Sequence, residues 1–540
     1  MNAATRLRHW AAQSPATPAL RVPDPNGSGW LSASFGQLDR ASDALAHGFA
    51  GLGVSPGDRA VVLVKPSIDL YATLFALFKV GAVPCLVDPG MGPKAVLAAI
   101  ERIRPRALVA EPAVHAIACV KRSAFASVEL RAAPRWFPGV ATFASLAKPD
   151  AGPYPLADRA PDDDAAILFT SGSTGPAKGV ASRQAMFDAQ VEALGAMFQF
   201  RPGAADLQCF AAFALFDISL GMTSILPRMD LTRPATADPR ELVACAEAFA
   251  PEVMFASPIV WQRLAPWCVE RGIHLTSIET ALTVGAPIPA SLHRTLQRVL
   301  RAGAQVYTPY GATEAMPIAS IGSDELLAGP AEASEAGAGT CVGRVLPGVG
   351  VHIIAVTDEP IARWEDAIAL APGEIGEVVV EGAVVSRAYK DSPEGNALAK
   401  IRRGEAWLHR MGDLGRVDDQ GRLWFCGRKA HRLQTADGML APVPLENVAN
   451  ATPGVFRTAV VGVGTVGRQT AVLCVEMRVD SSWGPGVEAQ MRARLDASPF
   501  AGRVARFLVH PGFPTDARHN SKIRSEELAR WAAARCQDLS

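Results

Sequence analysis

The densest set of chemically capable residues lies in Leu168–Val180, which reads LFTSGSTGPAKGV. Thr170, Ser171, Ser173 and Thr174 supply four hydroxyls, Gly172, Gly175 and Gly179 separate them, and Lys178 adds a cation. Glycines let backbone N–H groups turn towards a bound anion, hydroxyls donate further hydrogen bonds, and a lysine neutralises charge. That combination suits a polyphosphate. An ordinary P-loop needs Gly-Lys followed by Ser or Thr, whereas Lys178 stands between Ala177 and Gly179, so that pattern is not met. A flexible Gly/Ser linker is the plain alternative. Linkers, however, are not usually framed by a buried-strand pattern (Ala165–Phe169) and a helical one (Ser182–Phe198).

The elements that position this loop read as strands alternating with helices. Ala60–Val64, Ala82–Val87 and Arg106–Ala110 are strand-like, and Ile68–Val80 is helical. Past the loop, Val253–Ala256, Thr280–Val284 and Gln305–Tyr307 are strand-like, with a helix at Leu292–Arg301. Such alternation implies a parallel sheet covered on both faces. From about residue 340 the rhythm shifts to short strands split by Gly and Pro, which favours a β-rich subdomain. The tail has its own βαβ-like rhythm, and the boundary is placed near Gly427–Arg432. The expected fold is α/β: a large N-terminal domain, 1–427, of parallel α/β layers plus the β-rich subdomain, and a small mobile α+β C-terminal domain, 428–540.

Bulk properties exclude several classes. A chain of 540 residues is too long for one core. Its 53 basic and 53 acidic residues cancel, so no global field draws nucleic acid or a membrane surface. The nine cysteines form no CxxC pair and no metal-spaced cluster, which reads as reduced thiols in a cytoplasmic protein. The longest apolar region, Ala60–Val87, is broken by Lys65, Pro66, Asp69, Lys79 and Pro84, so no simple membrane span is expected. The N-terminus lacks the apolar core of a signal peptide.

Three further stretches follow in order: TPYGATE at Thr308–Glu314, MGDL at Met411–Leu414, and WFCGRKAHR at Trp424–Arg432. With LFTSGSTGPAKGV they resemble the adenylate-forming superfamily of acyl-CoA synthetases, luciferases and peptide-synthetase adenylation domains. The resemblance spans nearly the whole chain and implies ATP and Mg²⁺. It implies that Thr170–Lys178 hold the β- and γ-phosphates. It places Gly285, Ala286 and Pro287 at adenine and stacks Tyr310, with Gly311 and Ala312 beside it, near the same ring. It sets Thr313 on the α-phosphate, Glu314 on Mg²⁺, Asp413 on the ribose hydroxyls and Arg428 on ribose or phosphate. Lys522, in the tail stretch FPTDARHNSKIR, matches the lysine that serves adenylation in that superfamily. The chemistry agrees: a carboxylate attacking the α-phosphate builds charge that a metal, a lysine and N–H donors stabilise. Neither Ser171 nor Ser173 sits in a G-x-S-x-G elbow, so no serine nucleophile is expected.

The departures from the superfamily pattern are informative. Ala430 and His431 stand where an acidic pair is usual, Ala436 and Asp437 where CoA users carry a Gly-Gly-like turn, and Ser521 where Gly is common. Pro442 and Glu446 still match. An aspartate where pantetheine passes would add bulk and a like charge against CoA phosphates. FCGRKAHR with the RHNSKIR tail looks like one branch, which forms β-lactones in bacterial long-chain olefin biosynthesis. That resemblance implies a 2-alkyl-3-hydroxy fatty acid substrate, activated as its acyl-adenylate and closed by its own β-hydroxyl. A tethered nucleophile makes an incoming thiol dispensable. Two alkyl arms need an apolar cleft, for which Phe213, Phe216, Ile218, Phe255 and Ile259 are candidates. His431 and His519 are candidate bases by chemistry alone. The branch further implies a lactone decarboxylase and a reductase as partners. The rival readings are a long-chain acyl-CoA ligase or fatty-acyl-AMP ligase, and a silent nucleotide- or lipid-binding scaffold.

Overall fold

The computed structural model describes residues 2–170, 177–515 and 523–539, the side chains of Thr170 and Leu539 excepted. Ser171, Gly172, Ser173, Thr174, Gly175, Arg518, His519 and Lys522 lie outside the described residues.

The expected alternation of strands and helices builds two sheets. In the first, Asp164–Thr170, Val83–Val87, Arg59–Leu63, Ala107–Ala110, Leu130–Ala133 and Ala141–Thr142 run parallel, with Val83–Val87 between Asp164–Thr170 and Arg59–Leu63. These strands are short apolar runs buried on both faces, as parallel strands are. The helix Ile68–Val80 makes the crossover between two of them. Ser67 caps it by accepting the Leu70 N–H, and Gly81 ends it at φ 81°, a left-handed position that suits glycine. In the second sheet Gln305–Tyr307, Thr280–Thr283, Val253–Ala256, Ala205–Gln208, Thr223–Ile225 and Pro18–Pro23 are parallel, and Trp30–Ser34 adds an antiparallel edge. One buried cluster joins the sheets: Leu20 and Val22 of the second meet Ala60 and Val62 of the first around Leu74 and Phe75 of the crossover helix.

The Gly-rich stretch differs from the strand–loop–helix expected. Lys178–Arg183 is itself a strand, antiparallel to Asp164–Thr170 with Thr170 opposite Lys178, and the helix starts only at Gln184. Lys178 therefore opens a strand. The run KGVASR has one β-branched residue, so local propensity hides it. Pairing on both sides stabilises it, since Tyr389–Lys390 closes the far edge.

The β-rich part also begins earlier than the rhythm suggested. Tyr310–Ala312 and Ala315–Ser320 form a hairpin that continues into Thr340–Val345, Arg422–Arg428, Ala406–Val417, Gly376–Gly382 and Val349–Ile354, all antiparallel. In the tail, Val455–Val463 and Thr470–Met477 form an antiparallel pair, and one βαβ unit follows through the helix Pro485–Asp496 to Arg506–Val509. Glu446, on the helix Pro442–Asn450, accepts the Val460 N–H at 2.9 Å. Burial pushes its carboxyl up from 4.5 to about 7. The folded state thus binds the proton more firmly. The stabilisation is complete below the unfolded value and is lost as pH rises through the folded one. Glu446→Gln is expected to flatten this dependence and to gain about 1–3 kcal/mol at alkaline pH. Urea unfolding of both chains on either side of that window checks it.

Candidate active site

The elements converge on one tyrosine that the sequence reading did not single out. Tyr389 lies opposite Val180, next to the Gly-rich hairpin. Asn396 fixes its backbone, accepting the Tyr389 N–H at 2.6 Å and donating to its carbonyl at 2.9 Å. The Lys178 ammonium stands 4.8 Å from the centre of the Tyr389 ring. The Tyr389 hydroxyl donates to Glu314 Oε1 at 2.7 Å. Burial and the Glu314 charge push that hydroxyl far above its ordinary pKa, so it remains a donor. Glu314 occupies the turn of the Tyr310–Ser320 hairpin, and its carbonyl accepts the Ser386 N–H at 2.7 Å. The cation and the carboxylate singled out from sequence thus meet at one phenol.

A second group forms around Asp413. This residue is 3% exposed and lies directly opposite Arg428 in the ladder. Arg428 Nη1 donates to Asp413 Oδ1 at 2.8 Å and the Tyr310 hydroxyl donates to Oδ2 at 2.7 Å. Burial and the neighbouring carboxylate hold the Tyr310 hydroxyl well above its usual pKa, and Asp413 raises that of Arg428. Both donors therefore keep the protons their hydrogen bonds need. Gly311 and Ala312 continue the Tyr310 strand, and half-buried Thr313 leads into Glu314.

Gly285, Ala286 and Pro287 leave the carboxyl end of Thr280–Thr283. That strand pairs with Gln305–Tyr307, with Leu282 opposite Tyr307, so the segment towards Tyr310 leaves alongside. Ligands of open α/β sheets bind beyond such carboxyl ends. Gly285 has φ 97°, which glycine adopts without strain.

The five acyl candidates separate. Phe213 lies 4.5 Å from Phe255 and 5.5 Å from Phe216, ring centre to centre, in a cluster with Phe210, Met222 and Leu282. Along Val253–Ala256 side chains alternate, so Phe255 faces this cluster and Met254 the opposite one. Ile218 is fully buried in the core between the sheets, and Ile259 packs on the Met254 side. The structure does not bring these two to the Phe cluster, because helical spacing turns Ile218 inward from Phe216 and places Ile259 behind the sheet.

His431 is also placed elsewhere. Its Nδ1 is 3.2 Å from Ser525 Oγ, and its Nε2 is 3.6 Å from Glu526. Ala436 and Asp437 form the exposed two-residue turn between Leu433–Thr435 and Gly438–Leu440.

Beyond Tyr389, sequence reasoning missed Ser386, Lys400 and His409. Lys400 and His409 are cross-strand partners, and both are almost fully buried. Burial, chiefly, pushes the Lys400 ammonium down to about 7, with Lys178 adding to the effect and Glu314 opposing it. Burial, and then Lys400, hold His409 well below its ordinary pKa. Lys400 ends the stretch ALAK, which reads as a solvated helix terminus, so only the fold reveals it.

Among the described residues no three His, Cys, Asp or Glu side chains converge on a metal position. Glu314 is a single hard oxygen donor. That donor set fits Mg²⁺, which keeps waters and takes phosphate oxygens rather than an all-protein cage.

The chain belongs to the AMP-binding enzyme family, which it matches over residues 7–390. It is an ATP-dependent, AMP-forming enzyme acting on a small molecule. Olefin beta-lactone synthetase of Stenotrophomonas maltophilia is 44% identical, covering 99% of this chain and 98% of that protein. The olefin beta-lactone synthetase of Xanthomonas campestris is 43% identical over 98% and 97%. In three dimensions the chain superimposes on the amide bond synthetase McbA of Marinactinospora thermotolerans with TM-score 0.81, at 23% identity, over 98% of this chain and 99% of that one. That likeness shows that the two chains share a fold over nearly their whole lengths. Among the described residues no helix is long and apolar enough to cross a membrane.

Proposed function

We propose that this enzyme activates a long-chain 2-alkyl-3-hydroxy fatty acid as its acyl-adenylate and closes it to a β-lactone, releasing pyrophosphate and AMP. The observation that carries this reading is the extent of the likeness to the two olefin beta-lactone synthetases. It runs through the C-terminal segment, where the chain departs from the CoA-using pattern.

In the first step a substrate carboxylate oxygen attacks the α-phosphorus, and the bond to the bridging oxygen of pyrophosphate breaks. Lys178 and the Gly-rich loop hold the phosphates, and Thr313 contacts the α-phosphate. Mg²⁺ at Glu314 supplies positive charge against the phosphate oxygens and the leaving group. Asp413 and Arg428 hold the ribose, Tyr310 and the 285–287 segment hold adenine, and Lys522 contributes from a mobile C-terminal domain, 428–540. In the second step the substrate's β-hydroxyl oxygen attacks the activated carbonyl, the bond from the acyl carbon to the phosphate oxygen breaks, AMP leaves with that oxygen, and the hydroxyl proton passes to solvent. Phe213, Phe216 and Phe255 offer an apolar wall for the alkyl arms. The tethered hydroxyl makes ring closure unimolecular, which offsets part of the strain of a four-membered ring.

The enzyme works in the cytoplasm, in keeping with nine unbridged cysteines. A reductase supplies its hydroxy acid and a decarboxylase consumes its lactone. The test is a product assay by mass spectrometry with ATP, Mg²⁺ and a synthetic 2-alkyl-3-hydroxy acid, with and without CoA. The expected product has the mass of the acid less one water, at equal yield in both arms. A thioester, or a strict need for CoA, overturns the reading.

A further inference from the structure

Lys400 is 3% exposed, and among the described residues its ammonium forms no ion pair with a carboxylate. Its contacts are specific instead. The Nζ donates to the Ser386 carbonyl at 2.5 Å and to Ser386 Oγ at 2.9 Å. It also lies 5.5 Å from the centre of the Tyr389 ring. Both neighbours lead to the same residue: Ser386 donates its N–H to the Glu314 backbone carbonyl at 2.7 Å, and Tyr389 donates its hydroxyl to the carboxylate oxygen Glu314 Oε1 at 2.7 Å. A buried cation is costly unless its hydrogen bonds compensate. A core-filling role calls for an apolar side chain at this position; an ammonium that ties down Ser386 on two atoms fixes the segment between Val385 and Tyr389.

We propose that Lys400 is a positioning residue of the magnesium site, bracing Ser386 and Tyr389 and through them the orientation of Glu314. The proposal rests on the reading of Glu314 as the magnesium carboxylate. Groups that orient a metal ligand commonly govern metal affinity. Lys400 does not touch the substrate in this scheme, so its removal acts on the metal.

The experiment compares the full-length chain with Lys400→Met, Ser386→Ala and Glu314→Gln. Two quantities are read: the Mg²⁺ concentration for half-maximal pyrophosphate release at saturating ATP, and calorimetric binding of ATP with Mg²⁺ against ATP with chelator. Lys400→Met is expected to raise the half-saturating Mg²⁺ about tenfold and to weaken only the Mg²⁺-dependent part of ATP binding. Ser386→Ala, which removes one of the two hydrogen bonds from Lys400 to Ser386, shifts the same quantity roughly threefold. If Lys400→Met does not fold, Ser386→Ala decides. A lowered melting temperature with unchanged Mg²⁺ dependence in both variants, while Glu314→Gln does shift it, overturns the proposal alone. An unchanged Mg²⁺ dependence in Glu314→Gln overturns the metal reading, and the proposal falls with it.

Discussion

Glu314→Gln is expected to slow pyrophosphate release by about 10²–10³-fold while leaving the melting temperature nearly unchanged. The substitution preserves the volume and the oxygen that accepts the Tyr389 hydroxyl. The Ser386 N–H contact is to the Glu314 backbone and is indifferent to the side chain. What disappears is one negative charge. The carboxylate attack concentrates charge on the phosphate oxygens, and a divalent ion is needed most when that charge peaks. The loss therefore falls on kcat as well as kcat/KM. A continuous pyrophosphate assay at saturating ATP and Mg²⁺, paired with a thermal melt, reads both quantities. A rate within about threefold of the parent would remove Glu314 from the metal site.

The two halves of this centre were unequally legible in the sequence. Lys178, Glu314 and Asp413 stand out because Gly turns and short motifs surround them, and such turns survive any uncertainty about strands. The parallel layers were equally legible: Ile68–Val80 and Val253–Ala256 carry dense apolar runs bounded by Gly or Pro. Lys178–Arg183 was not, because its strand state comes from two neighbours rather than from its own residues. Tyr389, Ser386 and Lys400 were hidden for a related reason. Each reads as an ordinary surface residue, and only antiparallel pairing places Lys400 opposite His409 inside the protein. Of the apolar candidates, Phe213, Phe216 and Phe255 share a cluster while Ile218 and Ile259 do not. Hydrophobicity names residues that are buried, but the face they take depends on which layer covers them.

Asp413→Ala is expected to destabilise the chain by about 2–4 kcal/mol and to reduce adenylate formation by more than about 10²-fold. The stability loss arises because two donors, the Arg428 guanidinium and the buried Tyr310 hydroxyl, lose their shared acceptor. Asp413→Asn separates stability from function. The amide oxygen still accepts from one donor, but the amide NH₂ faces the other, so part of the stability returns without the charge. An ionised carboxylate has about four acceptor positions, which is the chemistry a ribose ligand needs beside Arg428 and Tyr310. The decisive comparison is therefore ATP against 2′-deoxy-ATP. The parent enzyme should prefer ATP, and Asp413→Asn should narrow the ratio of kcat/KM values by about tenfold, because the variant has lost most of what the 2′-hydroxyl contributes. A ratio unchanged in Asp413→Asn, alongside a lowered melting temperature, would make Asp413 a scaffold for Arg428 and Tyr310 rather than a ribose ligand. Since Arg428 ends the strand Arg422–Arg428, that outcome would shift the role of this ion pair from holding nucleotide to holding the end of that strand in the sheet.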